Sequence, residues 1–150
     1  MEFCSWLLEI EVEGRKKGNF YSTVAHFFID SKLENVLLKN EISGFVTKEI
    51  EKLNDNAADI KEMIITGEGG FFRKKNGELF EKCDICNKVS ENYDRMIGTT
   101  IYEEDWSGDD IFLIKNYYGI PVVSQKFKDV CEKNKIKNVQ FIPVEEFELG

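Results

Sequence analysis

Trp6, Leu8, Ile10 and Val12 alternate along the chain with Leu7, Glu9, Glu11 and Glu13. A period of two puts one set on a buried face and the other toward solvent, so residues 6–13 read as a half-buried strand. GRKKGN (14–19) reads as a turn, and FYSTVAHFFID (20–30) is rich in aromatic and β-branched residues. Together they predict a hairpin. The period then lengthens. Ser31 and Glu34 have the spacing of a capping box, with Ser31 as N-cap and Glu34 at the third helical position. Leu33, Val36 and Leu37 follow at helical spacing and predict a helix over 32–39 that stops before Gly44. FVTKEIEKL (45–53) fits both periods: Val46, Ile50 and Leu53 for a helix, or Val46, Lys48, Ile50 and Lys52 for a strand.

IKEMIITG (60–67) ends in a β-like run and a glycine. GEGGFFRKKNGE (67–78) is a turn-rich loop; it has neither the Lys-Ser ending nor the following helical pattern of a phosphate-binding loop. IFLIK (111–115) predicts a buried strand, and Gly119-Ile120-Pro121 a turn. Ser124 is placed to cap a helix through QKFKDVCEKN, with Phe127, Val130 and Cys131 on one face. NVQFIPV (138–144) predicts a closing strand. Strands outnumber helices and do not alternate regularly with them. The class is therefore α+β: a single domain over 1–150, with a mainly antiparallel sheet and two or three short helices. The pattern shows no internal repeat, linker or low-complexity segment.

Composition narrows the function classes. With 150 residues, 42% of them apolar, the chain can bury a core without disulfide staples. Its net charge is −8, from 28 acids against 20 bases, which argues against nucleic acid as a partner because phosphate binding needs clustered Lys and Arg. The two basic runs, Arg15-Lys16-Lys17 and Arg73-Lys74-Lys75, sit beside Gly and Asn and read as solvated turns. The first residues, MEFCSWLLEIEVEG, lack the basic start and apolar run of a signal peptide, and no stretch reaches the ~20 apolar residues of a membrane span. The expectation is a cytoplasmic protein with reduced cysteines and no membrane partner.

Cys83 and Cys86 form one Cys-x-x-Cys. A structural zinc site usually needs two such pairs. The remaining candidates, Cys4, Cys131 and His26, are unpaired in sequence, and Cys131 falls on the apolar face of a predicted helix as a small buried thiol. A zinc completed by Cys4 or Cys131, or shared between two chains, is the alternative to a motif without metal. A redox role lacks its βαβ setting, and Asp84 between the thiols opposes a lowered pKa. His26, the single histidine, has no nucleophile motif to serve and reads as structural or partly exposed. Five acids crowd into Glu103, Glu104, Asp105, Trp106, Ser107, Gly108, Asp109 and Asp110. Such crowding reads as a solvated loop or as a binding surface. Trp106 in its middle is either an interface anchor or a ring folded inward over the sheet.

The stretch from Trp106 to Phe147 carries an ordered set of elements: Trp106, Gly108, Asp110-Ile111-Phe112, Val123-Ser124, Asn138-Val139-Gln140-Phe141 and Pro143-Val144-Glu145-Glu146. This set resembles the C-terminal pattern of bacterial immunity proteins, including the double-CxxCG family and related families of polymorphic toxin systems. Ser43-Gly44-Phe45 and Gly67-Glu68-Gly69-Gly70 resemble their upstream half. Double-CxxCG proteins carry two Cys-x-x-Cys-Gly knuckles; this chain has one, with Asn87 in place of the glycine. The resemblance implies that Cys83 and Cys86 are vestiges of a zinc ribbon that has lost its metal, so that no metal or other cofactor is expected. It implies a protein that binds and neutralises a cognate toxin, a basic protein such as a nuclease, by occluding its active site or an adjacent surface. No catalytic residue is required. The acidic loop Glu103, Glu104, Asp105, Trp106, Asp109 and Asp110 is then the candidate toxin-binding surface. The alternatives are an acidic scaffold module for another protein, and a small enzyme using dispersed carboxylates.

Overall fold

The computed structural model describes residues 5–10, 18–23, 26–50, 59–74, 76–79, 84–85, 96–97, 100–146 and 148–149. The fold is α+β and its sheets are mainly antiparallel. One sheet has five strands: β1 (Ser5–Ile10), β6 (Gly67–Glu68), β8 (Ile111–Ile114), β9 (Tyr117–Ser124) and β10 (Val139–Pro143), in the order β10-β1-β9-β8-β6. A four-stranded sheet contains β2 (Phe20–Ser22), β3 (Phe27–Ile29), β4 (Phe45–Lys48) and β5 (Lys61–Ile65), in the order β2-β3-β5-β4. The pair β7 (Met96–Ile97) and β11 (Glu148–Leu149) stands apart. Among the described strands, only β6 and β8 pair in parallel. Two helices follow strands directly, α1 (Ser31–Lys39) after β3 and α2 (Gln125–Lys133) after β9.

Period-two alternation divides the five-stranded sheet between two cores. Ile111 and Val123 are cross-strand partners and join Phe20, Ile29, Leu33, Leu37, Met63, Phe127 and Cys131 in the larger core. That core is shared by both helices and both sheets. Their neighbours Phe112 and Val122 point the other way, into a second core with Phe72, Ile101, Ile114 and Val144. Asn116 is buried beside this second core. Its side-chain amide accepts from the Phe72 N–H at 2.9 Å and donates to the Phe72 carbonyl at 3.1 Å, as a neighbouring strand would.

Several expected elements are present: α2 with its Ser124 cap, the buried strand near 111–115, the closing strand, and a helix near 32–39. Others differ. Strand β1 does not pair with 20–30; it lies between β9 and β10, while 20–30 folds into its own hairpin, β2–β3. Alternation identifies a half-buried strand but carries no information about its neighbour. The α1 cap is Asp30 rather than Ser31: the Asp30 carboxylate accepts from the Leu33 N–H at 2.9 Å. Ser31 is the first helical residue and donates to the Asp59 carbonyl. Of the ambiguous stretch, 45–48 is strand and 51–58 lies outside the described residues. The chain reverses at Lys115–Asn116, and Gly119-Ile120-Pro121 lies inside β9. Pairing of Phe112 with Val122 and of Ile114 with Tyr117 leaves the intervening stretch of β9 bulged against Leu113. A bulge is a place where a strand accepts proline, because no ladder hydrogen bond is required of it.

One similarity within the chain is not evident in the sequence pattern. Both helices end in the same way. Asn40 and Asn134 each turn the side-chain amide back to the carbonyl four residues earlier, Val36 and Val130, at 2.8 Å. Glu41 and Lys135 follow, each with φ of 54°. The N–H groups of Ile42 and Ile136 then close on Leu37 and Cys131, both at 3.0 Å. The sequence trace of this repeat, Lys-Asn-x-Ile at 39–42 and 133–136, is short and its surroundings differ.

Glu34, which leaves no capping box with Ser31, instead accepts from Lys61 Nζ at 3.0 Å and ties α1 to β5. Burial by itself would raise the Glu34 carboxyl. The hydrogen bonds from Lys61 and Thr47 and the Lys61 charge together outweigh it and hold the group below the usual carboxylate range. A depressed carboxylate stabilises the fold at pH above its unfolded pKa, and that contribution disappears as pH falls through the folded value. Glu34→Gln is therefore expected to flatten part of the acid limb of a stability-against-pH curve while lowering stability at neutral pH. An unchanged acid limb would place the acid sensitivity elsewhere. Among the described residues, no helix is long and apolar enough to cross a membrane.

Candidate functional site

The acidic loop begins where buried Ile101 leaves the second core. Glu103–Asp105 forms one 3-10 turn, closed by the Asp105 N–H to the Tyr102 carbonyl at 3.0 Å and the Trp106 N–H to the Glu103 carbonyl at 3.1 Å. All three acids of the turn are exposed. Asp105 lies 3.7 Å from the Arg73 guanidinium, which stacks 4.3 Å above the Tyr102 ring. Among the described residues, Glu103 and Glu104 have no ion pair and, with Ile101 and Tyr102, line an open groove of about 810 Å³.

Trp106 turns inward. Its ring packs on Phe112 with 5.9 Å between centroids, and Nε1 donates to the Asp109 carbonyl at 2.9 Å. The ring is half-buried against the second core.

The rest of the loop is fastened to its surroundings. Ser107 exchanges two hydrogen bonds with the Glu68 backbone, accepting at 3.0 Å through Oγ and donating at 2.8 Å through its N–H. Ser107 Oγ also donates to Asp109 at 2.7 Å. Asp109 packs where Gly44 and Gly67 leave space: a Cβ on either glycine would fall within 3 Å of the Asp109 Cβ and collide with the Ile111 carbonyl. At Gly44 the backbone also has φ of 105°, which favours glycine. Asp110 is the anchor. Its carboxylate accepts from the Ser43 N–H at 3.1 Å and from Ser124 Oγ at 2.8 Å, and Lys126 stands 3.8 Å away. The Ser43 carbonyl in turn accepts from the N–H groups of Asp110 and Ile111.

The six residues singled out from the sequence thus divide. Glu103 and Glu104 face solvent over the groove, and Asp105 is exposed beside Arg73. Trp106, Asp109 and Asp110 hold the loop in place. The charge pattern of the acidic loop does not point to the supports it has elsewhere in the chain, Ser43, Gly44, Gly67, Glu68 and Arg73. The glycines were a signal, since Gly44 and Gly67 mark the two places where backbone must approach Asp109 closely.

The other candidates are not gathered here. His26 is exposed, and its Nδ1 is 2.7 Å from a Glu62 carboxylate oxygen. Cys131 is buried in the larger core, where burial and then the Glu132 charge push its thiol up to about 12, far from thiolate chemistry at neutral pH. Cys4, Cys83 and Cys86 lie outside the described residues; Asp84 and Ile85 between the pair are exposed. Among the described residues, no three His, Cys, Asp or Glu side chains are grouped to hold a metal ion. For a vestigial Cys-x-x-Cys, elemental analysis of the purified protein is expected to find far less than one zinc per chain. Chelation should leave the melting temperature unchanged, because structural zinc contributes directly to folding free energy. Stoichiometric zinc would restore the metal-bound alternative.

No known family model matches the chain, and no curated protein matches it in sequence.

Proposed function

We propose that this protein is an immunity protein: it binds a basic protein toxin through the acidic loop and blocks the toxin's active site or an adjacent surface. The observation that supports this reading best is the rigid mounting of two outward carboxylates, Glu103 and Glu104, over an open groove. Ser107 with Glu68, and Asp110 with Ser43 and Ser124, hold the loop from separate elements. Little backbone ordering entropy is left to lose when a partner docks on it. Tyr102 and Ile101 supply an apolar wall and the glutamates an acidic rim, a combination that suits a Lys or Arg side chain. The net charge of −8 favours fast encounter with a basic partner. The resemblance over Trp106–Phe147 supplies the toxin class.

Co-expression with the protein encoded next to it, followed by pull-down and a growth assay, tests the reading. The expected result is capture of that neighbour and rescue of growth. Capture of a non-toxic neighbour would instead favour a scaffold role. Glu103→Ser with Glu104→Ser is expected to leave the melting temperature unchanged and to slow association roughly tenfold at low ionic strength, with the difference shrinking in salt. Asp109 stays intact in this variant because it holds Ser107. Parental association rates at low salt would move the interface away from this loop.

A further inference from the structure

The repeated helix ends belong to a larger repeat. Asp30 caps α1 through the Leu33 N–H, and Ser124 caps α2 through the Phe127 N–H. The buried residues correspond in order: Leu33 with Phe127, Leu37 with Cys131, Ile42 with Ile136. In each half a helix connects a strand to a second strand, β3 to β4 and β9 to β10, and in each sheet another strand lies between them, antiparallel to both. That central strand is β5 in one sheet and β1 in the other.

The registers coincide. Ile29 opposite Lys61 corresponds to Val123 opposite Trp6, and Phe28 opposite Glu62 to Val122 opposite Leu7. On the other side, Phe45 opposite Ile65 corresponds to Val139 opposite Ile10, and Thr47 opposite Met63 to Phe141 opposite Leu8. One-residue slips flip a strand's faces, so agreement on both sides of the central strand is a demanding match.

With the short strands β6 and β7 set aside as an insertion between β5 and β8, each half runs, in chain order, strand, strand, strand, helix, strand. The first is β1-β2-β3-α1-β4 and the second is β5-β8-β9-α2-β10. The first strand of each half sits in the middle of the other half's sheet. We infer that the chain is two copies of one unit that have exchanged their first strands, and that this exchange makes them a single cooperative structure. Pulling the halves apart would remove the central strand from both sheets and split the core that Leu33, Leu37, Phe127 and Cys131 share. The competing picture is that the four-stranded sheet, contiguous in sequence from Phe20 to Ile65, opens alone.

Native-state amide exchange on the full-length protein separates the two. Leu37→Ala lies in α1 and Phe127→Ala in α2. If the exchange couples the halves, each variant accelerates the slowest amides of β3–β5 and of β1–β9 by the same factor, on the order of a hundredfold or more for truncations of this kind. The milder matched pair Leu37→Val and Cys131→Ala should show the same equality at smaller factors, which keeps the test available should the larger truncations fail to fold. Acceleration by the α1 variants confined to the four-stranded sheet, with β1–β9 at parental rates, would overturn the inference.

Discussion

Phe127→Ala is expected to lower stability by about 3–5 kcal/mol, the range for truncating a buried aromatic. Phe127 is fully buried in the core common to both helices and both sheets, and it meets Phe141 edge-on at 6.5 Å. The first turn of α2 holds it there, with its N–H bonded to Ser124 Oγ at 3.2 Å. Little can move in to fill the space, because its neighbours are themselves fixed by strand pairing. Against a typical total of 5–15 kcal/mol, a loss of that size leaves the variant near its unfolding threshold at ordinary temperature. Ser124→Ala removes the cap and the bond to Asp110 but no buried volume, and should cost about 1 kcal/mol. Denaturant midpoints at unchanged slope measure both. Equal and small shifts would contradict the burial of Phe127.

Trp106→Ala is the second large effect, about 3 kcal/mol. This is the low end for aromatic truncation, because the ring is half-buried. It removes the packing on Phe112 and leaves the Asp109 carbonyl without its 2.9 Å donor. The result should appear in the melting temperature, while the folded fraction binds its partner with parental affinity apart from any loosening of the loop. Glu103→Ser with Glu104→Ser should do the reverse. Were Trp106→Ala to speed dissociation and leave the melting temperature alone, the ring would be an interface anchor and the inward packing would not describe its role in the complex.

The division within the acidic loop has a simple electrostatic consequence. Asp110 is near the protein's own donors, Ser43, Ser124 and Lys126, so it serves the fold. Glu103 and Glu104 are exposed on a turn too short to fold back over itself. Sequence places all five acids of the loop on equal terms; donors from remote segments decide which of them are held within the fold.

The features determined by the sequence alone are those whose cause lies within a few residues. Alternation at 6–10 is enough for a strand. Ser124 followed by Phe127, Val130 and Cys131 is enough for a capped helix with one buried face. The preponderance of such strands sets the α+β class. What required tertiary structure depends on groups distant in the chain. Both Asp30 and Ser31 are competent N-caps; in the fold Asp30, also held by Asn19, takes the cap, and the Ser31 hydroxyl bonds the Asp59 carbonyl. Pro121 reads as a turn until β8 shows the bulge it occupies. Trp106 reads equally as an anchor or as an inward ring, and the packing on Phe112 with Nε1 bonded to the Asp109 carbonyl is visible only in the tertiary structure. The repeat is hidden for the same reason. Its two copies share few letters, and the strands that would reveal it are exchanged between sheets, so the correspondence exists in hydrogen-bond register, a property of paired strands that no single strand's residues contain.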